Sequence, residues 1–154
     1  MTTTTDTRWL NAEQQVAWRA YLLGTARLMA KLDDDLRQFG LGLNDYEILV
    51  RLSEAPDRRL RMAELADRLH QSRSRMTHTV GRLVGAGLVT RKSCDSDKRG
   101  VWAELTDAGL ARLKEAAPTH VDGVRENLVD VADPADFAAI GRVFDAVAEK
   151  IGER

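Results

Sequence analysis

The chain has 154 residues and a formal net charge of −1, with 44% hydrophobic and 31% charged residues, which is typical of one globular domain with a sizeable core. A single cysteine excludes an intrachain disulfide and suits a reducing cytoplasm. No apolar run approaches the roughly 18 residues that a membrane-spanning helix needs, and the opening segment 1–8 lacks the features of a signal peptide, so we predict a cytoplasmic protein with a disordered lead-in.

The N-terminal half of the sequence predicts three helices. The first spans 9–39, where apolar residues recur at intervals of three and four and form a face wide enough to be covered from two sides. Asn44 and Glu47 predict the N-cap and the third residue of a second helix, which the loop 55–59 ends. A short third helix begins after Arg61, its predicted N-cap.

Residues 72–84, beginning SRSRMTHTVGRL, predict a fourth helix with Ser72 as its N-cap. The period then changes to that of two short strands, 88–92 and 101–105, which a long polar loop, 93–100, joins into a hairpin. The apolar positions of the fourth helix fall on one face and are predicted to point inward: Met76, Val80, Leu83 and Val84.

The last third of the sequence predicts two helices. The fifth helix begins at Thr106 and Asp107, and Pro118 should kink or break it. The sixth begins at Asp133 and Pro134 with an N-cap and a proline in the first helical position. Its apolar stripe, like that of the first helix, is too wide to be buried within one small lobe.

Positive charge is concentrated in residues 71–100. This segment has seven Lys or Arg and two Asp, a net charge of +5, whereas the remaining residues sum to −6. The fourth helix begins with Arg73 and Arg75 and no acid, although the positive end of a helix dipole favours acids there. A phosphate at this helix start would reverse the unfavourable sign and accept the free backbone N–H groups. The distribution therefore predicts a nucleic-acid-binding surface.

The face of the fourth helix opposite its apolar residues is polar and cationic, as a helix that enters a DNA major groove requires. Together with the third helix it predicts a helix-turn-helix. The hairpin that follows is then a wing, and Arg99 at its tip can reach the adjacent minor groove. We predict base contacts from Ser74, Arg75, Thr77 and His78, and groove or phosphate contacts from Ser72, Arg73, Arg91 and Arg99. Arg82 and Lys98 are also predicted to bind DNA.

Between about residues 43 and 113, three segments resemble the MarR family of bacterial transcription regulators: LNDYEILVRL, RMAELADRLHQSRSRMTHTVGRLVGAGLVTRK and DSDKRGVWAELTDAGLARL. The last segment is the most specific, because it is similar to the family's wing, with Asp97 two residues before Arg99. The resemblance implies that Asp97 braces the wing and that the protein is a homodimer joined through its terminal helices. It also implies repression that ends when a small phenolic or lipophilic ligand binds. The sequence departs from the family pattern at Ser96, where many members have proline, and at Arg61, where many have Ser or Thr.

Several residues have two interpretations. Trp18, Tyr21 and Tyr46 are either walls of a ligand pocket or core residues. Cys94 lies in the wing near cations that favour an oxidisable thiolate, so it is either a redox sensor or a tolerated loop residue. The arginines of the fourth helix could also form a solvated basic face.

The sequence predicts no metal, no other cofactor and no enzyme activity. The histidines, His70, His78 and His120, lack the close spacing of metal ligands. The sequence also has no phosphate-binding glycine loop, nucleophile elbow or paired-cysteine motif.

The sequence as a whole predicts a mostly α-helical protein with a small two-stranded β-wing, a winged helix-turn-helix. Residues 9–42 and 106–154 would form a helical dimerisation region, and 43–105 a DNA-binding lobe of the same integrated domain. The predicted function is sequence-specific control of transcription. The predicted partners are double-stranded DNA with a pseudo-palindromic operator, a second copy of the chain and a small-molecule effector. The alternatives are a winged-helix protein-interaction module and a redox-responsive regulator acting through Cys94.

Overall fold

A computed structural model describes residues 7–94 and 97–152 of the chain. Short 3-10 turns follow the first two helices, and a π-helical turn, Arg125–Val129, follows the fifth. Within the described ranges, no helix is both long and apolar enough to cross a lipid bilayer. The helices and strands in chain order are α1 Ala12–Leu36, α2 Leu43–Glu54, β1 Arg59–Arg61, α3 Met62–Arg68, α4 Arg73–Gly85, β2 Val89–Cys94, β3 Asp97–Leu105, α5 Asp107–Val124 and α6 Pro134–Gly152.

The start of α1 is fixed by a reciprocal cap. The Asn11 side chain accepts a hydrogen bond from the Gln14 N–H at 2.9 Å, and the Gln14 side chain accepts one from the Asn11 N–H at 3.0 Å. The arrangement satisfies two N–H groups that a helix start otherwise leaves without partners. The predicted first helix is confirmed, but it begins after Asn11 rather than at residue 9.

The start of α2 differs from the sequence prediction, because Asn44 lies inside the first turn and Gly42 occupies the N-cap position. Two carboxylates satisfy the exposed backbone instead. Asp45 accepts the Gly42 N–H at 2.8 Å, and Asp33 of α1 accepts the Leu43 N–H at 2.8 Å. The contact between Asp33 and Leu43 joins residues that are ten positions apart. A capping pattern spans only a few neighbouring residues, so it could not predict this contact.

The sheet has three antiparallel strands in the order β1–β3–β2, so the predicted two-stranded wing is incomplete. The additional strand, β1, falls where the sequence predicts the end of a loop. It pairs with β3 so that Leu60 lies opposite Ala103, and both side chains are buried. A strand of three residues is too short to show a period of two, and only its pairing with a distant strand defines it.

The wing strands are longer than predicted, so the prediction of a long polar loop over 93–100 is wrong. Strand β2 continues to Cys94, and β3 already begins at Asp97. These two residues pair with each other, after a register shift between Ser93 and Cys94. Residues 95–96 lie outside the described part of the chain.

The hydrophobic core lies within the lobe formed by α2, α3, α4 and the sheet, with the end of α1 and the middle of α5 packed against it. Each of these elements contributes side chains that are fully or almost fully buried. Burial of such side chains stabilises the lobe by roughly 1.5–3 kcal/mol each before entropic costs. The largest of them are Leu36, Ile48, Leu49, Leu52, Leu65, Met76, Val80 and Val89.

The fifth helix runs through Pro118 without the break that the sequence allows. Buried residues on both sides of the proline, Ala116 and Gly123, hold the helix in place. At Gly123, α5 approaches α1 so closely that an added Cβ would lie 2.9 Å from Leu32 Cδ2. Tertiary packing thus compensates the hydrogen bond that proline removes from the helix.

Most of the remaining apolar residues of α1 and α6 are exposed in the single chain. No residue of α6 is buried within the described range of that helix. Large exposed apolar side chains concentrated on two helices indicate an interaction surface. Its large exposed side chains include Val16, Trp18, Leu22, Leu23, Phe137, Val143, Phe144 and Val147.

Candidate nucleic-acid interface

Helix α4 presents a polar and cationic face to solvent. Its N-cap is Ser72, as predicted, and the Ser72 hydroxyl accepts the Arg75 N–H at 3.1 Å. The side chains predicted to contact bases or phosphates at this end are all exposed: Ser72, Arg73, Ser74, Arg75, Thr77 and His78. The first turn contains no acid, so its free N–H groups and its dipole favour an anion supplied from outside the chain.

The inward face of α4 differs from the prediction at two positions. Met76, Val80 and Leu83 are buried as predicted, but Val84 is 37% exposed. Thr79 is buried instead, with 4% of its surface exposed. Thr79 lies three residues after Met76 and four before Leu83, on the same side of the helix. A prediction that counted only apolar residues passed over it.

The wing holds α4 through Arg91. The Arg91 Nη2 atom donates a hydrogen bond to the Thr77 carbonyl oxygen at 2.6 Å. The guanidinium passes over Gly81, where an added Cβ would lie only 3.2 Å from it. The sequence predicts Arg91 as a DNA contact, and the structure adds that this side chain joins the wing to α4. Its contact with DNA stays a prediction.

Arg82 forms an ion pair with another part of the protein, although its side chain stays partly exposed to solvent. Its guanidinium donates to both carboxylate oxygens of Asp45, at 2.6 and 3.3 Å. The Asp45 side chain is 2% exposed and that of Arg82 is 59% exposed. The pair joins the start of α2 to the last turns of α4, and so it fixes the angle between them. The sequence analysis missed this contact of Asp45, although an acid at a helix start three residues after a glycine was a visible signal.

The side chains at the tip of the wing, residues 94–99, are not described by the structure. The backbone places Asp97, Lys98 and Arg99 at the start of β3 and Cys94 at the end of β2. The roles predicted for their side chains, in bracing the wing, binding DNA and redox sensing, fall outside the described residues.

The three aromatic residues predicted for a ligand pocket do not come together. Trp18 and Tyr21 stack with ring centroids 5.5 Å apart, and Tyr21 contacts Phe144 of α6 at 5.4 Å. Tyr46 is buried in the core of the lobe, where its ring lies 4.4 Å from that of His120 on α5. Tyr46 and Tyr21 therefore belong to two separate aromatic contacts.

Burial changes the ionisation of the Tyr46–His120 pair. It raises the pKa of the Tyr46 hydroxyl above its ordinary value. It also lowers the pKa of His120, and the negative charge of Glu47 partly opposes that shift. The Nδ1 atom of His120 is buried and has no hydrogen-bond partner among the described residues. The site therefore favours a neutral imidazole.

We expect the stability of the protein to depend on His120 as the pH falls. Because the pKa of His120 is lowered in the folded state, the unfolded chain binds the proton more readily, and stability rises with pH. The contribution is present above the ordinary value of 6.5 and is lost as the pH falls through the folded value. Urea unfolding should show a smaller loss between about pH 7 and 5 for His120→Phe than for the wild type. The control His78→Asn changes an exposed histidine and should follow the wild type; equal slopes for His120→Phe and the wild type would contradict the assignment.

The described residues offer no obvious metal site. In ranges 7–94 and 97–152, no three His, Cys, Asp or Glu side chains lie together as ligands of one metal ion would.

Comparisons with known proteins identify relatives of the chain in sequence and in structure. Residues 39–100 match the sequence model of the MarR family. The HTH-type transcriptional repressor YetL of Bacillus subtilis is 32% identical over 112 residues, which cover 71% of this chain and 67% of that protein. The crystal structure of AbsC, a MarR family transcriptional regulator from Streptomyces coelicolor, has 42% identity and a TM-score of 0.91, covering 96% of this chain and 100% of that one. A second MarR family regulator from the same organism, solved in complex with DNA, has 43% identity and a TM-score of 0.91, covering 95% and 92% of the two chains.

Proposed function

The chain belongs to the MarR family of DNA-binding transcriptional regulators, and from this premise we propose that it represses transcription by inserting α4 into the major groove of its operator. The exposed cationic face of α4, with Ser72 as N-cap and no acid in the first turn, is the observation that carries the proposal. Arg75 and Thr77 lie on that face, where arginine can pair with a guanine edge and a hydroxyl can reach a base or a phosphate. The name of the relative YetL, a repressor, supports repression over activation.

The working unit that we propose is a homodimer in the bacterial cytoplasm, assembled through 9–42 and 106–154. The exposed apolar surface of α1 and α6 supports this assembly, because a second copy would remove it from water. Two copies place two α4 helices on one face of DNA, about one helical turn apart. The operator is then a pseudo-palindrome of two half-sites.

The proposed release signal is a small phenolic or lipophilic ligand. A mostly apolar cavity of about 480 Å³ between α1, the π-helical turn and α6 supports the proposal. Tyr21 and Phe144 line it, together with the polar side chains Thr25 and Asn127. Its apolar walls and few polar groups are typical of small-molecule sites. Trp18 and Tyr46, the other two residues predicted for a ligand pocket, do not line this cavity.

Fluorescence anisotropy at several salt concentrations tests DNA binding, with the promoter next to the protein's own gene and a scrambled duplex as probes. We expect tight, promoter-selective binding by two chains per duplex. The slope of log K against log salt should be close to −0.9 for each phosphate neutralised. A duplex with only one half-site should bind more weakly. Equal, weak binding to both full-length probes would contradict the proposal.

The variant Arg75→Ala tests the orientation of α4. Loss of a paired arginine contact should weaken binding to the promoter by about 1–3 kcal/mol and relax the preference at one base pair. The exposed Arg51 of α2 provides a matched control, because Arg51→Ala removes the same charge from a helix outside the interface. An unchanged base preference in Arg75→Ala would mean that another face of α4 reads the DNA.

A further inference from the structure

Helix α4 contains a glycine, Gly81, on the side that faces the wing. Its φ is not positive, so the backbone conformation does not require a glycine here. Glycine inside a helix costs about 1 kcal/mol relative to alanine. A Cβ at this position would lie 3.2 Å from Arg91 Nη2, and no other described atom beyond α4 lies within 4 Å of it. The helix thus has a residue of low helix propensity where a guanidinium from the wing approaches it.

The nitrogen that a Cβ would meet is the one that joins the wing to α4. Arg91 Nη2 donates a hydrogen bond to the Thr77 carbonyl oxygen at 2.6 Å. In an α-helix the carbonyl of Thr77 also accepts the N–H of Gly81, so the guanidinium lies over this turn. A side chain on a helix covers the turn that precedes its own Cα. Any side chain in place of Gly81 would therefore compete with Arg91 for the same turn of α4.

The strand β2 leaves the hydrophobic core shortly before it reaches Arg91. Val89 is buried, whereas residues 90–93 are exposed. Arg91 stands opposite Ala103 of β3, which also pairs with β1, but the pairing with β1 ends at Trp102. From there toward its tip, the described part of the wing is a two-stranded ribbon, which is only marginally stable by itself. The hydrogen bond of Arg91 joins the base of this ribbon to α4, a contact that strand pairing does not provide.

We propose that Gly81 is a positioning residue for DNA binding: it leaves room for Arg91 against α4, and this contact sets the position of the wing relative to α4. The proposal rests on the proposed insertion of α4 into the major groove, with the wing at the adjacent minor groove. The DNA fixes the separation of the two grooves, so α4 and the wing must be held at a matching distance to bind together. Holding both in the bound arrangement before DNA arrives lowers the conformational cost of binding.

A double-mutant cycle of Gly81→Val and Arg91→Ala tests the proposal. Valine has one strongly preferred rotamer in a helix, so its side chain cannot easily turn away from the guanidinium. Gly81→Val should bind the promoter about tenfold more weakly than the wild type. In the Arg91→Ala background the same substitution should have little effect, because no guanidinium remains to be displaced. Urea unfolding should give nearly the wild-type midpoint for Gly81→Val, because valine fits a helix at least as well as glycine.

The matched control is Gly85→Val, in the same helix. A Cβ at Gly85 would meet nothing within 4 Å, so this variant should bind the promoter as tightly as the wild type. Gly81→Ala provides a milder second variant, because its methyl group displaces Arg91 by only a few tenths of an ångström. Its loss of promoter binding should be smaller than that of Gly81→Val and should also vanish in the Arg91→Ala background.

Three results would contradict the proposal in different ways. Equal weakening by Gly81→Val in both backgrounds would mean that the added side chain meets DNA directly, and would overturn the positioning role. Promoter binding by Gly81→Val as tight as that of Gly85→Val, while Arg75→Ala still weakens it, would also overturn that role and leave the proposed function standing. A wild type that does not bind DNA would overturn the proposed function itself.

Discussion

Gly109→Ala is expected to lower the free energy of unfolding by about 3 kcal/mol. An added Cβ at this position would lie 2.1 Å from the Leu88 carbonyl oxygen and 2.6 Å from Leu105 Cδ1. The carbonyl cannot move away easily, because it accepts the Thr106 N–H at 3.1 Å. The start of α5 must therefore shift away from the end of α4 and the wing. Urea unfolding followed by circular dichroism measures the change as a lower midpoint at an unchanged slope.

Gly85→Ala is the control for this prediction. Gly85 also lies in a helix, but a Cβ there would meet nothing within 4 Å. The substitution should leave stability unchanged or raise it by up to about 1 kcal/mol, because alanine favours the helix more than glycine does. If Gly109→Ala unfolded at the same urea concentration as Gly85→Ala, the close approach of α5 to Leu88 would be wrong.

The sequence was sufficient to predict helix α4 because its signals are local. Ser72 as N-cap and the inward positions of Met76, Val80 and Leu83 follow from the spacing of residues within a dozen positions. The family resemblance rested on the same region. The comparisons confirm the family, and the fold confirms the mostly helical chain with a small sheet.

The elements that were missed depend on contacts between distant residues. Strand β1 exists because Leu60 meets Ala103 across the sheet. The continuity of α5 at Pro118 depends on packing against α1, which the local effect of proline does not include. Hydrogen bonds of polar side chains to distant residues were missed for the same reason. Nothing near Arg91 in sequence indicates that its guanidinium bonds the carbonyl of Thr77, fourteen residues away.

Arg82→Leu is expected to lower the free energy of unfolding by about 2–3 kcal/mol. The substitution removes both hydrogen bonds of the guanidinium and leaves the carboxylate of Asp45 buried, with the Gly42 N–H as its remaining described donor. An uncompensated buried charge costs more than the loss of the bonds themselves. The cost is smaller than the roughly 3–5 kcal/mol for breaking a fully buried ion pair. The Arg82 side chain is 59% exposed, so water can reach the carboxylate. Urea unfolding measures the change.

The variant Asp45→Asn completes the test as a double-mutant cycle. Removing the charge of Asp45 removes the cause of the penalty, so Arg82→Leu should cost about 1–3 kcal/mol less in that background than in the wild type. Additive costs would show that the pair contributes nothing to the fold.

The salt slope of DNA binding tests the other role predicted for Arg82, as a contact with DNA. If its charge is held by Asp45, the slope of folded Arg82→Leu equals that of the wild type, whereas a slope about one unit shallower means that Arg82 also contacts a phosphate. An unchanged slope would mean that Arg82 only positions α4 against α2. A shallower slope would mean that Arg82 positions α4 and also binds the DNA backbone.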